Sequence, residues 1–124
     1  MTMKTPLGQV RGLGSARSGV HHFWAQRVTA VALIPLGLWF LALVVALTGA
    51  DHATAAAALA HPANAVLMAV FIATSLYHSS LGVQVIIEDY IHKEGTKLML
   101  VLTNQFAHLL AGAAAVFAVL KLAL

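Results

Sequence analysis

The sequence contains no cysteine and very little charge. Without cysteine, the chain forms no disulfide, no thiolate metal site and no iron–sulfur cluster on its own residues. Charged residues make up 9% of the 124 positions, whereas hydrophobic residues make up 60%. Because soluble domains are about one quarter charged, this chain has too few charges to cover a globular surface. We therefore expect lipid to be the solvent around much of it.

The few basic residues do not indicate a nucleic-acid-binding protein. Seven Lys and Arg against four Asp and Glu give a formal net charge of +3, and the seven form no continuous patch. Their positions are more informative than their sum, because Lys and Arg near the ends of membrane helices set the orientation of the chain. Nucleic acid is not an expected partner.

Three long segments contain no Asp, Glu, Lys or Arg: residues 28–48, 63–87 and 98–120. A helix rises about 1.5 Å per residue, so each segment is long enough to cross the roughly 30 Å of hydrocarbon in a bilayer. In lipid the backbone must satisfy its own hydrogen bonds, which requires helices. The sequence therefore predicts an all-α membrane protein with three transmembrane helices.

The segments that connect these spans differ in charge. Four basic residues lie within residues 1–27, and Lys93 and Lys97 lie within residues 88–97, whereas residues 49–62 contain no Lys or Arg. Since basic loops remain on the cytoplasmic or matrix side of a membrane, residues 1–27 and 88–97 are expected on that side. The loop of residues 49–62 and the carboxyl terminus are then expected on the other side; in a bacterial inner membrane the two sides are cytoplasmic and periplasmic.

The remaining segments suggest a small subunit rather than a transporter. The first span is not expected to be a signal peptide, because about 27 mostly polar residues precede it. Residues 1–18 are expected to be an extended tail that either orders against a partner or stays disordered, and the alanine-rich residues 53–60 allow a short interfacial helix. The chain has no internal repeat of the kind that transporters use. We expect it to be part of a multi-subunit helical bundle.

His78 lies well inside the second hydrophobic segment, where an ionisable side chain normally faces the bundle and indicates a functional site. Helical spacing places Thr74 and Ser75 one turn before it and Gly82 one turn after it. These small residues leave space for a flat ring, and a neutral imidazole is a common axial ligand of haem iron. A histidine hydrogen-bonded between closely packed helices is the alternative, and both interpretations stay open.

His108 lies near the centre of the third segment, with Asn104 and Gln105 one turn before it. It is either a second axial ligand or a polar residue hydrogen-bonded across a helix interface. We favour the second interpretation, since polar side chains commonly join membrane helices in this way.

Acidic residues and a tyrosine end the second segment, at Glu88, Asp89 and Tyr90. Acidic residues at the carboxyl end of a helix oppose its macrodipole, so their position requires a cause. Either the group solvates a loop, with Tyr90 as an interfacial anchor, or the phenol donates a hydrogen bond to a quinone carbonyl. Tyr90 lies twelve positions after His78, about 18 Å along a helix. A haem at one residue and a quinone near the other would therefore lie within electron-transfer range, measured edge to edge.

Arg27 lies where the polar amino-terminal segment meets the first span, three positions after Trp24. Both residues fit the membrane interface, with Trp24 in the aromatic belt and Arg27 extending to lipid headgroups. Alternatively, Arg27 pairs with a haem propionate or a partner protein, since arginine binds carboxylates in a bidentate manner.

Two motifs resemble the small hydrophobic membrane-anchor subunits of succinate dehydrogenase, which pair with a cytochrome b556 subunit. Residues 18–30, SGVHHFWAQRVTA, follow the pattern G-x-H-x-F-x-x-x-R-x-T-A. Residues 77–90, YHSSLGVQVIIEDY, join the buried His78 to an Asp-Tyr pair at a fixed distance. The three-span layout and the chain length are also similar to those of this family.

The resemblance implies a set of roles for individual residues. His78 would be an axial ligand of haem b, the other ligand coming from the companion anchor subunit. Tyr90 would hydrogen-bond ubiquinone, with Asp89 at the mouth of that site. Arg27 would lie near the haem propionates and the quinone.

The resemblance also implies partners and a reaction. The anchor would dock the iron–sulfur subunit and, through it, the flavoprotein subunit, so that electrons from succinate reduce ubiquinone. The chain would not be catalytic on its own. A fumarate reductase anchor that uses menaquinone, or a purely structural anchor without cofactor contact, are the alternatives.

Overall fold

The computed structural model of the chain describes residues 5–11 and 18–124. Within these ranges the structure is helical, with no strand. Three of its helices are long and apolar enough to cross a membrane, so the prediction of an all-α chain with three membrane-spanning helices is confirmed. In chain order the elements are α1 (Pro6–Arg11), α2 (Ser18–Ala46), α3 (His52–Ala60), α4 (Pro62–Tyr90) and α5 (Glu94–Ala123).

The long helices extend beyond the uncharged segments. α2 begins at Ser18, well before position 28, and it ends at Ala46, where a turn follows that contains Gly49 at a φ of 79°. α4 begins with a proline in its first turn, Pro62, where the missing N–H would have no helical partner in any case. Charge marks where lipid must end, whereas a helix continues as long as its residues favour it. The membrane boundaries therefore stay predictions.

The two short helices are started by side-chain caps. The hydroxyl oxygen of Thr5 accepts a hydrogen bond from the N–H of Gly8 at 3.1 Å, so the described part of the amino-terminal segment is helical and not extended. The rest of that predicted tail lies outside the described residues. Asp51 accepts a hydrogen bond from the N–H of Thr54 at 2.8 Å and caps α3, the helix that the alanine-rich stretch allows.

α4 is the central helix of the described chain. It packs against α2 on one side and against α5 on the other, while the backbones of α2 and α5 do not approach each other closely within the described chain. α3 covers one end of the α4–α5 pair. α2 and α5 therefore each have one face in contact with α4, and all three long helices expose large apolar side chains elsewhere on their surfaces.

The core lies at the end of the bundle near α3. Ala65, Met68 and Val119 are buried there, and the rings of Phe40 and Phe71 stack with centroids 4.8 Å apart. Elsewhere large apolar side chains are exposed along the long helices. Those on α2 include Val28, Val31, Ile34, Leu38, Leu41 and Val45. Such a surface requires lipid or other helices as its neighbours.

Candidate functional site

His78 lies at the interface of α2 and α4, half-buried. Its Nδ1 atom is 2.8 Å from the hydroxyl oxygen of Thr29. That hydroxyl donates its own hydrogen to the backbone, since its oxygen is 2.7 Å from the carbonyl oxygen of Ala25 and 3.1 Å from that of Gln26. The hydroxyl oxygen is thus an acceptor for the ring N–H of His78.

The second ring nitrogen of His78 faces an amide. Gln26 Nε2 lies 3.5 Å from His78 Nε2, a long contact in which the amide donates to the ring. The amide oxygen of Gln26 is buried and has no hydrogen-bond partner among the described residues. A buried polar atom without a partner is costly. The Gln26 amide is therefore held less firmly than the His78 ring, which Thr29 binds at 2.8 Å.

The face of α4 that carries His78 is the one that helical spacing predicted. Phe71 contacts Phe40 of α2, and a Cβ atom built on Gly82 would lie 3.6 Å from Gln26 Nε2. Thr74 and Ser75 are half-buried. Phe71 and Gly82 therefore face α2 together with His78, and Gly82 lies next to the Gln26 amide.

A polar stripe on α2 faces the imidazole, and its members had no predicted role. His22, Gln26 and Thr29 follow helical spacing along one face. His22 Nε2 is buried and, like the Gln26 oxygen, has no hydrogen-bond partner. The sequence signal for this stripe is the spacing of four and then three positions, which places the three side chains on one face of α2, and of these Gln26 and Thr29 contact His78.

Arg27 points away from this interface. Its guanidinium carbon Cζ lies 4.1 Å from the centroid of the Phe23 ring, a cation–π contact on the same helix. Both side chains are exposed. Within the described chain Arg27 forms no ion pair, so its guanidinium is available to a carboxylate from elsewhere.

Asp89 and Tyr90 are the last residues of α4, and both are exposed, with Tyr90 exposed over 77% of its surface. Neither side chain forms a hydrogen bond with another described residue. The distance along α4 from His78 to Tyr90 is about 18 Å. The structure thus does not bring Arg27, Asp89 and Tyr90 into contact with His78.

A second polar group joins α4 to α5. Asn104 is buried, and its amide nitrogen donates to the carbonyl oxygen of Ser80 at 2.9 Å and to its hydroxyl at 3.2 Å. His108 donates from Nδ1 to the carbonyl oxygen of Asn104 at 2.8 Å, and its Nε2 lies 3.2 Å from the Ser79 hydroxyl. The interpretation of His108 as a residue bonded across a helix interface agrees with this geometry.

An open groove of about 640 Å³ runs beside this second group, between α4 and α5. Its wall is mostly apolar, with Tyr77, Ser80, Gln84, Gln105 and His108 as polar members. The groove lies on the side of α4 opposite His78 and contains none of the predicted site residues.

The residues at His78 fit an axial ligand of haem iron. A metal-bound histidine normally donates its other ring N–H to an oxygen, which fixes the ring and its tautomer, and Thr29 accepts such a bond here. Ligation by Nε2 would require the Gln26 amide to turn away from it, and that amide has an unsatisfied oxygen. The described residues include no group of three or more His, Asp or Glu that could hold a free metal ion.

Known proteins with similar sequences form a consistent set. Residues 1–120 match the sequence model of a family described as succinate dehydrogenase/fumarate reductase transmembrane subunit. A protein of Rickettsia bellii (strain RML369-C), named succinate dehydrogenase hydrophobic membrane anchor subunit, is 41% identical over 83 residues, which are 67% of this chain and 66% of that protein. No solved structure matches the chain.

Two further relatives carry the same name and cover more of the chain. The protein of Paracoccus denitrificans is 32% identical over 120 residues, or 97% of this chain and 92% of that protein. The protein of Rickettsia conorii (strain ATCC VR-613 / Malish 7) is 34% identical over 101 residues, or 79% of this chain and 80% of that protein. These matches confirm the resemblance that the two motifs indicated. The chain belongs to the family of succinate dehydrogenase/fumarate reductase transmembrane subunits.

Proposed function

We propose that the chain anchors a succinate dehydrogenase in the bacterial inner membrane and helps to bind haem b and ubiquinone there. The observation that carries the proposal is the His78 imidazole, which is held by a hydroxyl on Nδ1 and has, among the described residues, only the long Gln26 contact on Nε2. The relatives support the anchor role, because their names describe this subunit. The cofactor roles rest on the site residues.

His78 is the axial ligand that this chain contributes to haem b. The second ligand comes from the companion anchor subunit, since His108 faces the other side of α4 and is bonded to Ser79. Bound haem b supplies a one-electron redox centre within the membrane. The exposed apolar face of α2 and the unpartnered Gln26 oxygen support a site that is completed by a neighbouring helix.

Ubiquinone binds where α4 ends. The Tyr90 hydroxyl donates a hydrogen bond to a quinone carbonyl, and the carboxylate of Asp89 lies beside it at the mouth of the site. Arg27 is exposed and without a carboxylate partner in the described chain, which suits a haem propionate. The exposure of these three side chains supports a pocket whose other walls belong to partner subunits.

The charge distribution supports one orientation of the complex. Residues 1–27 and the loop with Lys93 and Lys97 are cytoplasmic by the positive-inside rule, which places Arg27 and Tyr90 at the cytoplasmic face. The iron–sulfur subunit docks at that face and carries the flavoprotein subunit. Electrons from succinate then reach ubiquinone close to the docking surface.

A fumarate reductase anchor with menaquinone is the second candidate, because the family description covers both enzymes. The names of the relatives favour succinate dehydrogenase. Quinone extraction from the purified complex separates the two, since menaquinone as the bound species would contradict the ubiquinone assignment.

The haem assignment is tested by a reduced-minus-oxidised visible spectrum of the purified complex. We expect a b-type band in the wild type and its loss in His78→Ala. His52→Ala is the matched control, since His52 is an exposed histidine of α3, and it should keep the band. A band that survives unchanged in His78→Ala would remove His78 as a ligand, and a wild-type complex without the band would favour the structural anchor.

The quinone assignment is tested by Tyr90→Phe, which removes only the hydroxyl. Succinate:ubiquinone reductase activity should fall, while succinate oxidation with an artificial electron acceptor stays at the wild-type rate. Tyr77→Phe is the control, because Tyr77 is a half-exposed tyrosine of the same helix that lines the α4–α5 groove. Unaltered ubiquinone reduction in Tyr90→Phe would contradict the assignment.

A further inference from the structure

We infer that Thr29 is the positioning residue of the haem ligand, because its hydroxyl accepts the Nδ1–H hydrogen bond of His78 and thereby leaves Nε2 free to bind iron. The inference rests on the proposed haem role of His78. Thr29 belongs to the first motif, but the sequence predicted no role for it. Its contact with His78 is seen only in the packed α2–α4 pair.

The direction of the Thr29–His78 bond follows from counting hydrogens. A threonine hydroxyl has one hydrogen to donate and two lone pairs to accept with. The Thr29 oxygen lies 2.7 Å from the carbonyl oxygen of Ala25 and 3.1 Å from that of Gln26. Carbonyl oxygens have no hydrogen to donate, so the hydroxyl hydrogen is directed to them. The 2.8 Å contact to His78 therefore requires the hydrogen on the ring nitrogen Nδ1.

The tautomer of His78 is fixed as a consequence. A neutral imidazole has a hydrogen on only one of its nitrogens, so Nε2 holds a free lone pair. The only described group at that lone pair is the Gln26 amide at 3.5 Å, and an amide nitrogen is a donor, which agrees with this assignment. Iron binds the unprotonated imidazole nitrogen. The geometry on α2 thus prepares the ring for ligation.

A purely local role for the Thr29 hydroxyl is the alternative. Serine and threonine in helices commonly donate to a carbonyl one turn earlier without any further function. Thr48, in the turn after α2, makes only such a local bond among the described residues, since its hydroxyl donates to the carbonyl oxygen of Val44 at 3.1 Å. Thr29 differs because its oxygen also contacts a side chain on another helix, 49 positions away. Comparison of the two threonines therefore separates the positioning role from the local one.

The experiment compares haem content and haem reduction potential in the purified complex. Thr29→Val keeps the shape of the side chain but removes the hydroxyl, and Thr29→Ser keeps the hydroxyl. Outer hydrogen-bond partners of metal-bound histidines are typically worth about 10-fold to 100-fold in metal affinity, so Thr29→Val should retain haem about 10-fold less well. Its potential should rise, because a ring that no longer donates to oxygen is a weaker donor to ferric iron. Thr29→Ser should match the wild type in both measurements.

The outcomes distinguish this inference from the haem assignment itself. Loss of the band in His78→Ala, together with wild-type haem content and potential in Thr29→Val, overturns the inference alone. An unchanged band in His78→Ala overturns the haem assignment and the inference with it. Thr48→Val is the matched control and should behave as the wild type. If Thr29→Val does not assemble, Thr29→Ala provides the same loss of the hydroxyl in less volume, and a Thr29→Ser complex that loses haem would also overturn the inference.

Discussion

His78 and Ser79 are adjacent in the chain but face different helices. His78 contacts the Thr29 hydroxyl of α2 at 2.8 Å, and the Ser79 hydroxyl lies 3.2 Å from Nε2 of His108 on α5. Successive residues of a helix are rotated by about 100°. At one level of the bundle α4 therefore contacts α2 through His78 and α5 through Ser79. His78 and His108 are consequently on separate sides of α4, and in the described chain their side chains lie in different helix interfaces.

His108→Phe tests this separation. If the second haem ligand comes from a partner subunit, the variant should keep the b-type band, because the hydrogen bonds of the His108 side chain within the described chain go to Asn104 and Ser79. The lost bond to Ser79 should cost about 0.6 kcal/mol, the average for such bonds in a membrane protein. Spectra and thermal unfolding of the purified complex provide both measurements. Loss of the band with an intact complex would make His108 a ligand and contradict the assignment of the second ligand to the companion anchor subunit.

Asn104→Ala should weaken the α4–α5 contact more than any neighbouring polar change. The buried amide donates twice to Ser80, and its loss should lower the free energy of unfolding by roughly 0.6–1.7 kcal/mol. Gln105→Ala is the matched control, since Gln105 is exposed and next in sequence. Thermal unfolding in one detergent ranks the two variants, and equal melting temperatures would show that the Ser80 bonds contribute nothing.

The fold followed from the sequence because lipid imposes a simple rule. Three uncharged segments of sufficient length had to be helices, and helical spacing predicted that the face of α4 with His78 and Gly82 lies inward. That this face packs on α2 is a finding of the structure. The ends of the helices did not follow, because α2 continues through Arg27 back to Ser18. A change from apolar to polar residues marks a change of solvent, and helical hydrogen bonds continue across it.

The site was predictable only in part. His78 stood out because an ionisable residue in an apolar segment requires a reason. Thr29 and Gln26 did not stand out, since small hydroxyl and amide side chains at a helix start have many uses and their partners lie about fifty positions away. Only the pairing of α2 with α4 gives them a common neighbour. Tyr90 and Asp89 are exposed at a helix end, so no contact within the described chain distinguishes their proposed role.

Asp51 should titrate below the ordinary carboxyl range. Its hydrogen bond with the Thr54 side chain, and then the one from the Thr54 N–H, lower the pKa of Asp51 below the usual 3.8. A lowered pKa in the folded state means that the cap stabilises α3 above the unfolded pKa and loses this effect as the pH falls through the folded pKa. The Thr54 amide-proton shift, followed by NMR in detergent, should have a midpoint below 3.8. Asp51→Asn should remove the transition, and a midpoint at or above 3.8 would contradict the cap.

Position 82 lies at the His78 interface, where the size of the side chain should determine whether haem binds. A Cβ atom there would lie 3.6 Å from Gln26 Nε2, an ordinary contact, so Gly82→Ala should keep the haem content of the wild type. Gly82→Leu should lower it severalfold, because a larger side chain fills the space into which the Gln26 amide must turn when Nε2 binds iron. The measurement is haem per purified complex.

Gly112 provides the control for the size of the added side chain. A Cβ atom there would lie 3.5 Å from Leu76 Cδ1, so its clearance is similar, but it faces the α4–α5 groove. Since His78 is on the other side of α4, Gly112→Leu should retain haem even where it weakens helix packing. Equal haem loss in Gly82→Leu and Gly112→Leu would mean that general disruption of the bundle releases the haem, and the specific role of Gly82 would then be wrong.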